Sequence, residues 1–161
     1  MTAGETVPRS STPPPVRLQI SPTAAQVRTA RLIAAAVARR SGVADGQLDE
    51  IRLAVGEACS RAVRLHREYA PTELVTVLLD GAGDFSVRVR DAVPAGSEAD
   101  GGDSLDGIAA FDGDGAVPAA FSLAVIGGLV DDLEIGPTPA GSGTEVRMRW
   151  PLAARSGLPT T

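Results

Sequence analysis

The chain is 161 residues long, carries a formal net charge of −5, and is 43% hydrophobic but only 3% aromatic. This length suits one domain with a single core, which must be built mainly from Ala, Val, Leu and Ile. No apolar run approaches the ~20 residues that span a bilayer, and no secretory signal opens the chain, so we expect a cytoplasmic protein without a membrane segment. One cysteine, Cys59, and one histidine, His66, argue against a disulfide and against a transition-metal centre.

Acidic and basic residues are unevenly distributed. Residues 91–146 contain eleven acids and no base, whereas the rest of the chain holds all fifteen arginines and the other nine acids. A segment with a charge of −11 repels nucleic-acid phosphates and attracts basic partners. We therefore expect no direct nucleic-acid binding, and an acidic face that docks on a basic protein surface.

The first elements are a tail, a strand and a helix. Residues 1–15 are rich in Pro, Ser and Thr, which predicts a disordered tail. Residues 16–20 alternate apolar and polar side chains, which is typical of a half-buried strand. Thr23 and Gln26 have the spacing of a capping box, so a helix is expected to start there and to stop at Gly42.

A second helix is predicted from about residue 45 or 47 to residue 68, after which the apolar period changes from 3.6 to 2. Residues 74–79 and 85–89 then read as a hairpin. The stretch from residue 92 to 118 is rich in Gly, Asp, Ala and Ser, and so long a loop is typical of functional or disordered segments.

The remaining pattern predicts a buried helix over residues 119–130 and strands at 133–135 and 144–150. The order of elements therefore predicts an α+β fold, a two-layer sandwich with about three helices on one face of a mostly antiparallel sheet. We expect one domain over residues 16–152, followed by a short tail at 153–161. Trp150 is expected at the rim of the core.

The second helix contains the motif IRLAVGEACSRAV at residues 51–63, with Glu57 and Arg61 one turn apart on the same helical face. This segment resembles the N-box helix of the GHKL, or Bergerat, ATP-binding fold, and most of all that of the RsbW and SpoIIAB type of anti-sigma factor and switch kinase. The resemblance implies that Glu57 is the catalytic base. It also implies that Arg61 stands where an asparagine would hold magnesium beside the nucleotide.

Arginine at this position changes the chemistry that the resemblance implies. A guanidinium has no acceptor atom and repels a hard cation, which argues against magnesium binding at Arg61. Arg61 is instead able to fork onto Glu57, an exposed pair worth about 0.3–0.5 kcal/mol, and an ion-paired carboxylate is a poorer general base. His66, in the last turn of this helix, is expected as an imidazolium that favours the helix dipole.

Two further segments resemble nucleotide-binding motifs of the same family. Asp91 begins DAVPA, where the family has DxGxG, so the aspartate that binds adenine is retained but both glycines are lost. The turn GSGT at residues 141–144 is similar to the family's last motif, which implies that Gly143 and Thr144 lie near the adenine. The expectation is weak ATP binding with little dependence on magnesium.

The resemblance covers residues 16–152 and is nearest to the UsfX-like anti-sigma factors, which also depart from the kinase pattern. It implies a sigma factor as partner, a STAS-type antagonist that releases it, and a homodimer. The alternative is an active serine/threonine protein kinase that phosphorylates this antagonist, with Glu57 as base. The missing asparagine and glycines favour the anti-sigma factor without enzyme activity.

Overall fold

The computed structural model describes residues 14–69, 72–94 and 119–152. Most of the two predicted tails and of the predicted loop lies outside these residues. The elements in chain order are β1 (Val16–Ile20), α1 (Ala24–Ser41), a short 3-10 helix (Asp45–Gln47), α2 (Leu48–Tyr69), β2 (Val75–Asp80), β3 (Phe85–Arg90), α3 (Ala119–Gly127), β4 (Asp132–Pro137) and β5 (Thr144–Trp150).

The five strands form one sheet in the order β1-β2-β3-β5-β4, and every neighbouring pair is antiparallel. The helices α1 and α2 pack against each other and contact the sheet, while α3 contacts α2 and β4. The predicted α+β sandwich is thus confirmed. The third helix is shorter than predicted, because it ends at Gly127 and a turn follows at Gly128 and Leu129.

Alternation along the strands places the apolar side chains under the helices, as the period of two requires. Phe85, Val87 and Val89 of β3 are buried beside Val146 and Met148 of β5. The next residue of this face, Trp150, is fully buried rather than at the rim of the core. Its ring centroid lies 6.0 Å from that of Phe85, and its indole N–H donates to the carbonyl of Leu129 at 3.1 Å.

The two long helices pack against each other, and the buried face of α1 is mostly alanine, while α2 adds three more buried alanines. The buried alanines are Ala30, Ala34, Ala35, Ala38, Ala54, Ala58 and Ala62. Gly42 ends α1 with φ of 92°, a conformation that glycine adopts without strain. Thr23 occupies the N-cap position, but its side chain does not cap the helix, so the capping box predicted with Gln26 is wrong.

The opposite face of the sheet carries arginines and acids in pairs. Glu145 of β5 accepts from Arg90 of β3 at 2.5 Å, and Arg147 donates to Glu134 at 3.0 Å and to Glu145 at 3.2 Å. Arg149 pairs with Asp132. Acids of β4 and β5 in the segment 91–146 are therefore neutralised across the sheet and do not form an unpaired acidic face.

Among the described helices, none is long and apolar enough to cross a membrane.

Candidate functional site

The site that the sequence indicates lies where α2 meets the residues that follow β3. Asp91–Pro94 leave the end of β3 and lie between α2 on one side and the start of β5 on the other. Asp91 continues the pairing of the two strands, because its N–H donates to the carbonyl of Thr144 at 3.0 Å. This placement brings Arg61 of α2 together with Asp91 and Thr144, three of the predicted site residues.

Arg61 and Asp91 form a buried ion pair. The Nη1 of Arg61 lies 3.0 Å from Oδ2 of Asp91, and the two side chains are only 3% and 1% exposed. The ionic partner of Arg61 is therefore Asp91, thirty residues further along the chain, and the hypothesis that Arg61 forks onto Glu57 is wrong. Spacing along a helix identifies neighbours within that helix only, so it gave no sign of a partner on another element.

Both oxygens of the Asp91 carboxylate are engaged, since Oδ1 accepts from the backbone N–H of Val93 at 2.9 Å. Burial raises the pKa of Asp91 and lowers the pKa of Arg61, and the attraction between the two charges opposes both shifts. A buried charge is stable only beside an opposite charge or other hydrogen-bond partners, so this ion pair helps to keep both residues buried.

The residues after Asp91 are held in place by contacts with other parts of the protein. The side chain of Val93 is 2% exposed, at the position where the family motif has its first glycine. The hydroxyl of Thr144, which the resemblance places near adenine, donates to the carbonyl of Val93 at 3.0 Å and is buried. The side chain of Val93 and this hydrogen bond therefore occupy space that a glycine at position 93 would leave open.

Gly143 lies against the backbone of Asp91. A Cβ built on Gly143 would be 2.0 Å from the carbonyl oxygen of Asp91 and 3.1 Å from Cα of Ala92. No heavy atom tolerates such a contact with rigid backbone, so only glycine fits here. The resemblance assigned Gly143 to nucleotide binding, whereas this close approach gives it a role in packing β5 against the end of β3.

His66 also holds this segment, a role that the sequence did not reveal. Its Nε2 accepts a hydrogen bond from the N–H of Ala92 at 3.1 Å, and the ring is only 2% exposed. An accepting Nε2 carries no proton, so the ring is neutral with its proton on Nδ1. The imidazolium expected at the end of α2 is therefore wrong. Within the described part of the chain, Nδ1 has no hydrogen-bond partner.

Glu57 lies in a second cluster, on the side of α2 that faces α3. The hydroxyl of Ser122 donates to Oε2 of Glu57 at 3.3 Å and accepts from Nη2 of Arg64 at 2.9 Å. Ser122 is fully buried. Burial lowers the pKa of Arg64, and the charge of Glu57 opposes this shift. The carboxylate implied as a general base is thus hydrogen-bonded to a serine of the same chain.

The described residues do not fit a magnesium–nucleotide complex. The cation Arg61 stands where the family places a metal-binding asparagine, and both oxygens of Asp91 are already engaged. Within the ranges that the structure describes, no three His, Cys, Asp or Glu side chains converge on a possible metal position. The assignment of Glu57, Arg61, Asp91, Gly143 and Thr144 to catalysis and nucleotide binding stays a prediction from the resemblance.

Known proteins that are similar to this chain have the same kind of fold. The profile of the histidine kinase-like ATPase domain matches residues 20–150, so the chain belongs to this family. One similar solved structure is that of the RsbU and RsbW domains of Rv1364c from Mycobacterium tuberculosis, with 18% identity and a TM-score of 0.60. The match covers 92% of this chain and 35% of that one, so this chain spans about a third of the length of the solved chain. No curated protein matches the chain significantly in sequence.

Proposed function

We propose that this protein is an anti-sigma factor that binds its sigma factor without nucleotide and releases it to a STAS-type antagonist. The observation that carries the proposal is the buried pair of Arg61 and Asp91, which uses internally the carboxylate that the family uses for adenine. A fold that keeps its shape through its own ion pair needs no ligand to present a binding surface. A role at RNA polymerase also implies a cytoplasmic location.

The state of Glu57 supports binding rather than phosphotransfer. A general base must reach the proton that it removes, within about 2.6–3.2 Å or through one water. Here the carboxylate accepts from the buried hydroxyl of Ser122 and lies beside Arg64. A substrate serine would compete with Ser122 for Oε2 of Glu57.

The solved relative contains a domain named RsbW, and the sequence resembles that type of regulator over residues 16–152. Within that type, loss of the asparagine and of the DxGxG glycines supports placing the chain in the UsfX-like branch. The proposal includes a homodimer, as the resemblance implies.

Copurification with sigma factors tests the proposal. Each sigma factor of the source genome is mixed with the purified full chain, which has been freed of nucleotide and kept in a metal chelator, and complexes are separated by gel filtration. We expect one sigma factor to form a stable complex under these conditions, and the STAS antagonist to displace it. A folded sample that binds no sigma factor contradicts the proposal.

The alternative, an active serine/threonine protein kinase, is tested with radiolabelled ATP and the STAS antagonist as substrate. We expect no transfer of label with or without magnesium, because Glu57 and Arg61 are both engaged within the chain. Label on the antagonist that is lost in Glu57→Gln would establish the kinase instead.

A further inference from the structure

The face of the sheet that points away from the helices, which we call the outer face, has a hollow at each end of β3. On β3 this face consists of Ser86, Arg88 and Arg90, which alternate with buried residues. The two hollows have volumes of about 290 and 300 Å³. Arg90 lines the first and Arg88 lines the second, so the outer side of β3 connects them.

The hollow at the carboxyl end of β3 has apolar walls, and we call it the apolar hollow. Leu74, Pro139 and Ala140 supply apolar surface, and Leu74 is 44% exposed. Arg90 lies beside them, but its guanidinium already pairs with Glu145. An apolar side chain therefore fits this hollow better than a second charged group does.

The hollow at the amino end of β3, which we call the arginine hollow, is mostly basic. The charged and hydroxyl side chains that line it are those of Asp84, Ser86, Arg88, Arg147 and Arg149. Arg147 and Arg149 each pair with acids of β4 or β5. Within the ranges that the structure describes, Arg88 forms no ion pair.

Arg88 has an unfavourable position in the sheet. It is half-buried and lies directly opposite Arg147 of β5. Its neighbour on the other side is Leu78 of β2, which carries no charge. Because like charges directly opposite one another destabilise a sheet, an anion placed on Arg88 would relieve this arrangement. A carboxylate suits the planar guanidinium, which donates two parallel hydrogen bonds to it.

The spacing of the two hollows matches an extended chain. Arg88 and Arg90 are two residues apart on β3, and side chains on one face of a strand repeat every 6.6–6.8 Å or so. An extended segment with an apolar side chain beside Arg90 thus places its next inward side chain at Arg88. The strand β3 is paired on both edges, so such a segment is recognised by side chains and not by added strand hydrogen bonds.

We propose that the outer face of β3 binds an extended acidic segment of a partner protein, with an apolar side chain in the apolar hollow and a carboxylate on Arg88. This site lies across the sheet from Glu57 and Arg61, and it goes beyond the proposed function because it requires neither. The sign of charge is opposite to that expected from the sequence, where an acidic face was to meet a basic partner.

The same features disfavour three other occupants. A nucleic-acid backbone would meet Asp84 in the arginine hollow and the net charge of −5. A small inorganic anion would leave the apolar hollow in water. A second copy would have to offer an acidic strand, but Asp132 and Glu134 of β4 are already paired with Arg149 and Arg147.

A short peptide tests the groove directly. The probe is SESLSES, in which every second residue is serine, so that either chain direction places a glutamate two residues from the leucine. The full chain, labelled with ¹⁵N, is titrated with peptide to about 2 mM, which detects a Kd near 1 mM. We expect the amide signals of β3 and of residues 138–142 to shift and those of α1 to stay. No shift at this concentration contradicts the proposal.

Matched variants test the two halves of the site. R88E places an acid opposite Arg147, a favourable cross-strand pair, so the fold is retained while peptide binding weakens about tenfold or more. R28E, the same change on an exposed residue of α1, should alter binding less than about twofold. L74S should weaken binding about threefold, and L32S, on α1, should leave it unchanged. Equal binding by R88E and R28E contradicts the proposal.

Matched probes separate the other occupants. We expect SKSLSKS not to bind and SESGSES to bind about threefold more weakly than SESLSES. Equal binding of either control would overturn the assigned chemistry. Inorganic phosphate that shifts the β3 signals as strongly would favour a simple anion site. Retention of a DNA duplex that R88E loses would favour nucleic acid, and loss of a dimer in R88E during sedimentation would favour a second copy. Each of these results leaves the proposed function standing, since sigma-factor binding is measured separately.

Discussion

Arg61 and Asp91 lie thirty residues apart in the chain, yet Nη1 of the one is 3.0 Å from Oδ2 of the other, and neither side chain is more than 3% exposed. This pair joins the middle of α2 to the end of β3. The resemblance to the ATP-binding family places these two residues at the positions of the metal-binding asparagine and of the adenine-binding aspartate. The proposed function depends on this ion pair.

The first prediction concerns the cost of breaking the pair. Asp91→Ala removes the buried carboxylate that faces the guanidinium of Arg61, which we expect to lower the free energy of unfolding by about 3–5 kcal/mol in a urea titration. Asp49→Ala removes the partner of Arg52 in an exposed pair and should cost no more than about 1 kcal/mol. Equal losses of unfolding free energy in the two variants would show that Asp91 is not in a buried ion pair with Arg61.

Gly143 gives a second prediction. Gly143→Ala places a Cβ against the carbonyl of Asp91, so β5 and the end of β3 must separate, and we expect a loss of about 2 kcal/mol or more. Gly136→Ala on β4 meets no atom within 4 Å and should stay within about 0.5 kcal/mol. Thermal unfolding of both variants measures these losses. A Gly143→Ala variant as stable as the unmodified protein would contradict the close approach of Gly143 to the backbone of Asp91.

The third prediction concerns the cluster of Glu57, Arg64 and Ser122. Ser122→Ala leaves Glu57 and Arg64, which are both partly buried, without their shared hydroxyl, at an expected cost of about 1–2 kcal/mol. Since the hydroxyl joins α3 to α2, amide hydrogen exchange should accelerate in α3 before it does in the sheet. Thr29→Ala, which removes an exposed hydroxyl from α1, is the control. Unchanged exchange in α3 would contradict this role for Ser122.

Much of the fold was predictable from sequence, because it depends on local patterns. The alternation in Phe85–Val89 and the alanine-rich faces of α1 and α2 fix each element and its buried side before any tertiary contact is known. Gly42 likewise marks the end of α1. The predicted strands lie within two residues of the observed ones.

The candidate site was only half predictable. The motif match located Glu57, Arg61, Asp91, Gly143 and Thr144, but spacing alone gave no sign of which of them pair. The partners of Asp91 and Glu57 lie on other elements, and nothing in the sequence around His66 or Ser122 marks them as neighbours of these carboxylates. Such contacts depend on how α2 and α3 pack on the sheet, which is a tertiary property.

The fourth prediction follows from Cys59. Burial raises the pKa of this thiol from 9.0 to about 12, so the native protein holds it neutral. A raised native pKa stabilises the fold fully below pH 9, and this contribution decreases as the pH rises from there toward 12. We expect native Cys59 to resist iodoacetamide at pH 8 and to react promptly in urea. The C59A variant should lose less stability between pH 9 and 11 than the unmodified protein.

The most direct test of the central claim is a calorimetric titration of the full chain with ATP, with magnesium and then with a chelator. If Arg61, Asp91, Val93 and Thr144 are engaged with one another as described, we expect a Kd of about 1 mM or weaker that is the same in both buffers. A Kd of about 10 μM or tighter that requires magnesium would contradict the claim that the protein's own side chains have replaced the nucleotide.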